Sequence, residues 1–247
     1  MKNFILFTIL SVVLLGKDLG DGYRAYINKD YDKAIKIFKE FAENGNKNAQ
    51  FTLGEIYFNG LGVKGNFKLA KDYYEKAANQ GDLDAYIGLA KAYHNLGDEK
   101  KALEWYKNAA LKEEPTAQES LGNFYHSGQF VGKIDEEASG YWHLKAFNNY
   151  MNLNYKNNKI QLRIANMYYY GNNAIEKNIE KAIEWYEKAS LNGNVWSQNF
   201  LANIYDSGKV VPRDFQKAIN LYNEACHNGS RSACSSYYYY LERGYIK

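Results

Sequence analysis

The sequence predicts an all-α solenoid built from helical hairpins. Three observations carry that prediction. Apolar residues recur at helical spacing in paired runs, the pair repeats every 32–44 residues, and each copy keeps the same residue types in the same slots. The clearest copy is Asp82–Ala110. Its first run places Ala85, Leu89, Ala90 and Tyr93 on one face, its second places Ala102, Tyr106 and Ala110 on another, and Gly97 lies in the break.

The second-helix small residue falls at Ala34, Ala70, Ala102, Ala138, Ala182 and Ala218. Four residues after each comes an aromatic: Phe38, Tyr74, Tyr106, Trp142, Tyr186 and Tyr222. The first helices carry Leu53-Gly54, Leu89-Ala90, Leu121-Gly122, Ile164-Ala165 and Leu201-Ala202, each followed three residues later by tyrosine. One such hairpin cannot bury its apolar face alone, so successive hairpins bury it on one another.

In chain order, residues 1–16 stand apart. Lys2 precedes the uncharged run FILFTILSVVLL, which fits a signal peptide, cleaved or retained as an interfacial anchor. The run is too short to span a bilayer, so the mature chain is expected to have no stable membrane span. Residues 17–247 read as one repeat domain: an opening hairpin over 18–44, repeats over about 47–80, 82–111, 114–149, 158–192 and 194–227, and a closing helix over 231–243. Gly60, Gly128, Gly171 and Gly208 stand where the first helices should stop, and Asp214 can cap the helix that follows it. The fourth repeat is longer, with 22 residues from Ala138 to Ile160 against 15 from Ala102 to Ala117. Its extra residues fall within Tyr150–Asn158, as a projecting loop or an added helical turn. Bulky Tyr238 takes a slot that holds Gly or Ala elsewhere, which suits a terminal cap.

Composition narrows the function. A net charge of +3 with interspersed signs gives no basic stripe for nucleic acid. The four histidines form no metal-ligand motif, and the cysteines are spaced C-x7-C, which is not a zinc spacing. No metal or cofactor is expected. Serine β-lactamase chemistry needs S-x-x-K, but no serine has a lysine three places on, and H-E-x-x-H and G-x-S-x-G are absent. The residues point to no catalytic group.

These slots resemble the Sel-one-like repeat family, a relative of the tetratricopeptide repeat. Ala49–Val63, AQFTLGEIYFNGLGV, and Lys181–Gly193, KAIEWYEKASLNG, carry the resemblance best, and it covers nearly all of 18–243. It implies a right-handed solenoid with first helices on the concave side and an exported bacterial protein, periplasmic or secreted. Cys226 and Cys234 match the cysteine pair that a Helicobacter cysteine-rich subgroup carries in every repeat; here only one joint has it. An even count in an exported chain favours a disulfide between them over two buried thiols.

With first helices on the concave side, helical spacing assigns the groove. Two residues after the leucine-type residue come Glu55, Lys91, Asn123, Asn166 and Asn203; five after it come Phe58, His94, His126, Tyr169 and Asp206. Two before it come Phe51, Ile87, Glu119, Leu162 and Asn199. An asparagine amide donates and accepts at once, so this track suits the backbone of a peptide or protein segment. The expected function is therefore an interaction scaffold. The alternatives are a β-lactamase or penicillin-binding hydrolase, implied by the cysteine-rich relatives alone, and an intracellular adaptor.

Overall fold

A computed structural model describes residues 18–153 and 157–245. Within them the chain forms thirteen helices. These are α1 Leu19–Ile27, α2 Tyr31–Glu43, α3 Lys47–Asn59, α4 Phe67–Ala78, α5 Leu83–Asn95 and α6 Glu99–Leu111, then α7 Pro115–Ser127, α8 Glu136–Asn152, α9 Asn158–Tyr170, α10 Ile179–Leu191, α11 Val195–Ser207, α12 Phe215–His227 and α13 Arg231–Glu242. No strand occurs among the described residues, and no helix there is long and apolar enough to cross a membrane. The signal-like run over 1–16 lies outside the described residues.

The helices pair as antiparallel hairpins of the expected solenoid class. The span 17–247, read from sequence as one array, falls into two compact units, one ending at Lys112 and one starting at Glu113. In the first unit each helix packs on the next from α1 to α6; in the second the same holds from α7 to α13.

Polar side chains set the helix starts. Asp30, Asn46, Asn66, Asp82, Asp98 and Asp214 each accept a hydrogen bond from a backbone N–H in the first turn, which satisfies donors the helix itself cannot. Gly60, Gly128 and Gly208 end α3, α7 and α11 in the left-handed conformation.

The small residues make the hairpins close-packed. Ala34, Ala70, Ala102, Ala182 and Ala218 are fully buried, as are the rings of Phe38, Tyr74 and Tyr186. Tyr74 is clamped between α3 and α5: a Cβ added at Gly54 or at Gly88 would lie 2.5 Å from its ring. Only glycine leaves room for the ring there.

The fourth repeat corrects the sequence register by one residue. Asp135 caps α8, and the fully buried small residue four places on is Ser139, not Ala138. The aromatic slot consequently falls on buried His143, not on half-buried Trp142. A cap positions the whole helix, and Asp135 starts this one a residue later than Ala138 and Trp142 would require. The extra length is partly a helical turn: α8 has 17 residues against 12 or 13 in the other hairpins' second helices from α2 on. That turn buries Tyr150, whose hydroxyl donates to Glu119 at 2.9 Å.

A glutamine ties neighbouring hairpins. Buried Gln50 donates to the Ala42 carbonyl at 3.0 Å, and Gln198 donates to the Ser190 carbonyl at 3.3 Å, each eight residues back. The side-chain oxygens of Gln50, Gln118, Gln161 and Gln198 accept from Gln80, Asn149, Asn192 and Asn228, residues at the ends of the second helices. At the last joint Cys234 takes this glutamine's place and forms a disulfide with Cys226, eight residues back, with the Cα atoms 4.5 Å apart. The terminal tyrosines divide: Tyr240 is buried and donates to Asp206 at 2.5 Å, while Tyr238 stands 53% exposed.

Candidate functional site

The expected groove residues sit on the first helices, and the second-helix ring behind them determines what each can do. In the second, fourth, fifth and sixth hairpins the slot two residues after the leucine is an acceptor for the buried ring of the same hairpin; in the third it is Lys91, which has no acceptor. Tyr74 donates its hydroxyl to Glu55, Tyr186 donates to Asn166 Oδ1 at 2.7 Å, and Tyr222 donates to Asn203 Oδ1 at 2.8 Å. In the fourth repeat His143 replaces tyrosine, and its Nε2 lies 3.1 Å from Asn123 Oδ1. An amide oxygen only accepts, so Nε2 carries the proton and Nδ1 accepts from the Ser139 hydroxyl at 3.3 Å. The asparagine track is therefore partly structural. Burial raises the Tyr74 and Tyr186 phenols, and pushes Tyr222 up to about 12, so all three keep the proton they donate.

In the first unit, Phe51, Glu55 and Phe58 come together around Tyr74. They lie at helical spacing on α3, and the Phe51 and Phe58 rings stand 5.9 and 6.4 Å from the Tyr74 ring. Phe58 also packs edge-on against Phe67, 5.3 Å away. Lys91 is exposed on α5, and His94 Nδ1 lies 2.9 Å from Glu99. Ile87, in the Phe51 slot of the next repeat, is buried core rather than groove.

In the second unit, Asn166 and Tyr169 come together around Tyr186. The Tyr186 ring meets Tyr169 at 6.1 Å and Phe200 at 4.9 Å, and Trp196 stacks on Phe200 at 4.6 Å. Trp196 is 47% exposed. Sequence spacing missed Trp196 and Phe200 because they fall outside the slots that follow the leucine. Asn199 and Asn203 are joined, the Asn203 amide donating to the Asn199 carbonyl at 2.8 Å. Asp206 is held by Arg213, Tyr222 and Tyr240.

Asn123 and His126 line a polar cavity of about 380 Å³ with Glu119, Glu136, His143 and Asn173. Its carboxylates have partners: Glu119 pairs with Arg163 at 2.5 Å, and Glu136 lies 3.0 Å from His126 Nδ1. Burial holds the His143 imidazole below its ordinary value, so it is neutral at pH 7. The Ser139–His143–Asn123 chain has the atom types of a hydrolase triad. Ser139 is fully buried, however, and a nucleophile must reach its substrate. Among the described residues no group of three or more His, Cys, Asp or Glu side chains is arranged to hold a metal ion.

A profile described as Sel1 repeat matches residues 14–46, 47–82, 83–113, 115–149, 161–194 and 197–230. The chain belongs to the Sel1 repeat family. Repeats of this family mediate protein–protein interaction. Among curated proteins, chitin synthase regulatory factor 3 of Schizosaccharomyces pombe is 28% identical over 214 residues, which is 82% of this chain and 22% of the relative. This Sel1 repeat chain thus spans about a quarter of the length of such relatives. Two solved structures show the same fold. A Sel1 repeat protein from Oxalobacter formigenes aligns with a TM-score of 0.60 at 24% identity, covering 87% of this chain and 86% of that one. The immunity protein Pa5087 from Pseudomonas aeruginosa aligns with 0.56 at 17% identity, covering 79% and 74%.

Proposed function

We propose that this Sel1 repeat protein is an exported bacterial scaffold that holds an extended segment of a partner protein along its first helices. One observation carries the reading. At Asn123 and Asn166 the amide oxygen is held from behind by a buried donor, and Nδ2 has no hydrogen-bond partner among the described residues. A side chain fixed at its acceptor end presents its donor end without losing further rotamer freedom on binding, and a main-chain carbonyl is the matching group. Phe51, Glu55, Phe58, Lys91 and His94 on first helices of the first unit, and His126, Tyr169, Asn199 and Asn203 on those of the second, supply the remaining contacts in this reading. The name of the fungal relative, a regulatory factor of an enzyme, agrees with a protein that acts by holding another. Export is supported by the apolar run at residues 1–16 and by the Cys226–Cys234 bond, which suits an oxidising compartment.

The test is a display selection of random peptides on the full chain, followed by the paired variant Asn123→Asp with Asn166→Asp. Aspartate keeps the oxygen that His143 and Tyr186 need and removes the amide donor. Selected peptides should bind the variant at least fivefold more weakly while the melting temperature is unchanged, as loss of about 1 kcal/mol per hydrogen bond requires. Unaltered affinity would end the reading. Export is tested by expressing the full chain in a bacterial host. Recovery from the periplasm or medium is expected, and retention of the whole product in the cytosol would overturn it.

A further inference from the structure

We propose that the Phe51–Glu55–Phe58 face of α3 is a subsite for a cationic side chain, and specifically for an arginine of the bound segment. The inference rests on the scaffold reading above and names the chemistry of its partner. Two other acidic residues on the first helices have a cation beside them: Glu119 has Arg163, and Asp206 has Arg213. Glu55 has none. Among the described residues no lysine, arginine or histidine nitrogen lies within ion-pair distance of it, and its partners are the Tyr74 hydroxyl and the Asn59 amide.

Its surroundings are aromatic. Phe51 precedes Glu55 by four residues and Phe58 follows it by three, so both flank it on one helix face. Both rings lie against Tyr74, the phenol that donates to the carboxylate. The Glu55 charge also reaches Tyr26 of α1, where, after burial, it is the next cause of the raised phenol pKa. A carboxylate set among ring faces attracts a cation twice, by charge and by the negative faces of the rings. All these residues are half-buried or buried, so a bound cation would be only partly hydrated and the attraction less screened.

Guanidinium fits better than ammonium here. It is flat, so it can lie on a phenylalanine ring while its edge donates to the carboxylate, and it is more weakly hydrated. Glu55 also departs from its own series: the equivalent slots in the fourth, fifth and sixth hairpins hold Asn123, Asn166 and Asn203. The tyrosine behind it needs only an acceptor, which an amide supplies equally. The negative charge at residue 55 is therefore surplus to packing, and a cationic ligand accounts for it.

Glu55→Gln separates the two roles, because the glutamine oxygen still accepts from Tyr74 while the charge is gone. Random peptides are selected on the full-length protein and on this variant, and both are titrated with N-acetyl-arginine-N-methylamide and its uncharged citrulline counterpart, followed by carboxyl and aromatic NMR shifts. The expected result is a shared arginine among peptides selected on the natural chain and an affinity at least tenfold weaker on Glu55→Gln. The arginine probe should also shift the Glu55 and Phe51 resonances while the citrulline probe does not. Peptides that bind through Asn123 and Asn166 yet show no arginine preference would overturn the subsite and leave the scaffold standing. An arginine-probe response with no peptide selected would support the subsite and overturn the scaffold. Lysine enriched in place of arginine, or equal response to both probes, would refute the guanidinium assignment.

Discussion

Tyr74 and Tyr186 occupy the same slot of their hairpins, and both are fully buried, yet they serve different faces. Tyr74 donates to a carboxylate, Glu55, and is pinned between Gly54 and Gly88. Tyr186 donates to a neutral amide, Asn166, and the residue matching Gly54 is Ala165. One packing solution thus tolerates two surface chemistries. Each of these two rings has an acceptor and a small neighbour, and neither needs that acceptor to carry a charge.

The difference is most easily broken at the small neighbour. Gly54→Ala should destabilise the first unit by about 3 kcal/mol, since the new methyl meets a ring that another helix holds from its other side. Thermal unfolding of the purified chain would show it, and a melting temperature within a degree or so of the natural protein would mean the clamp is loose.

The joints between hairpins offer a second contrast. Reducing Cys226–Cys234, or replacing both by serine, should cost about 2–3 kcal/mol, whereas Gln198→Ala at the equivalent joint should cost about 1–2 kcal/mol. Denaturant titrations of the two variants would rank them. Equal losses would indicate that the disulfide adds no more than the hydrogen bonds it replaces.

A smaller effect separates the two tyrosines directly. Tyr74→Phe leaves a half-buried carboxylate with only the longer Asn59 amide contact and should cost about 2 kcal/mol; Tyr186→Phe should cost about 1 kcal/mol. If the order reverses, the Glu55 charge is solvated well enough not to need the phenol.

The smallest expected change comes from the repeat that uses histidine. Burial lowers the folded-state pKa of His143 below 6.5, so the unfolded chain binds this proton more readily. Its contribution is whole above about pH 6.5 and is lost as pH falls below that value. Nearby Glu119 and Glu136 oppose the shift and His126 adds to it. Urea midpoints at about pH 5 and about pH 8 should differ less in His143→Gln than in the natural chain. An unchanged difference would show that other groups carry the pH dependence.

Much of this was legible in the residues. Alternating small and aromatic slots determined the helices, their pairing and their caps, because a hairpin of this length buries itself only when alanine or glycine faces a ring. The Cys226–Cys234 pairing was legible too, from even count and position. The one-residue slip at Ser139 and His143 was not. Ala138 and Trp142 match the small and aromatic types of the repeat, and only the cap at Asp135 decides which face turns inward.

The candidate site divides in the same way. Helical spacing alone put Phe51, Glu55 and Phe58, or Asn166 and Tyr169, on shared faces. Tertiary structure decided that Asn123, Asn166 and Asn203 each lend an oxygen to the core, and it gathered Trp196 and Phe200 beside Tyr186. Spacing reports which way a side chain leaves its own helix. Which atom of it is already spent depends on a partner some twenty residues away, and only packing brings that partner to hydrogen-bond distance.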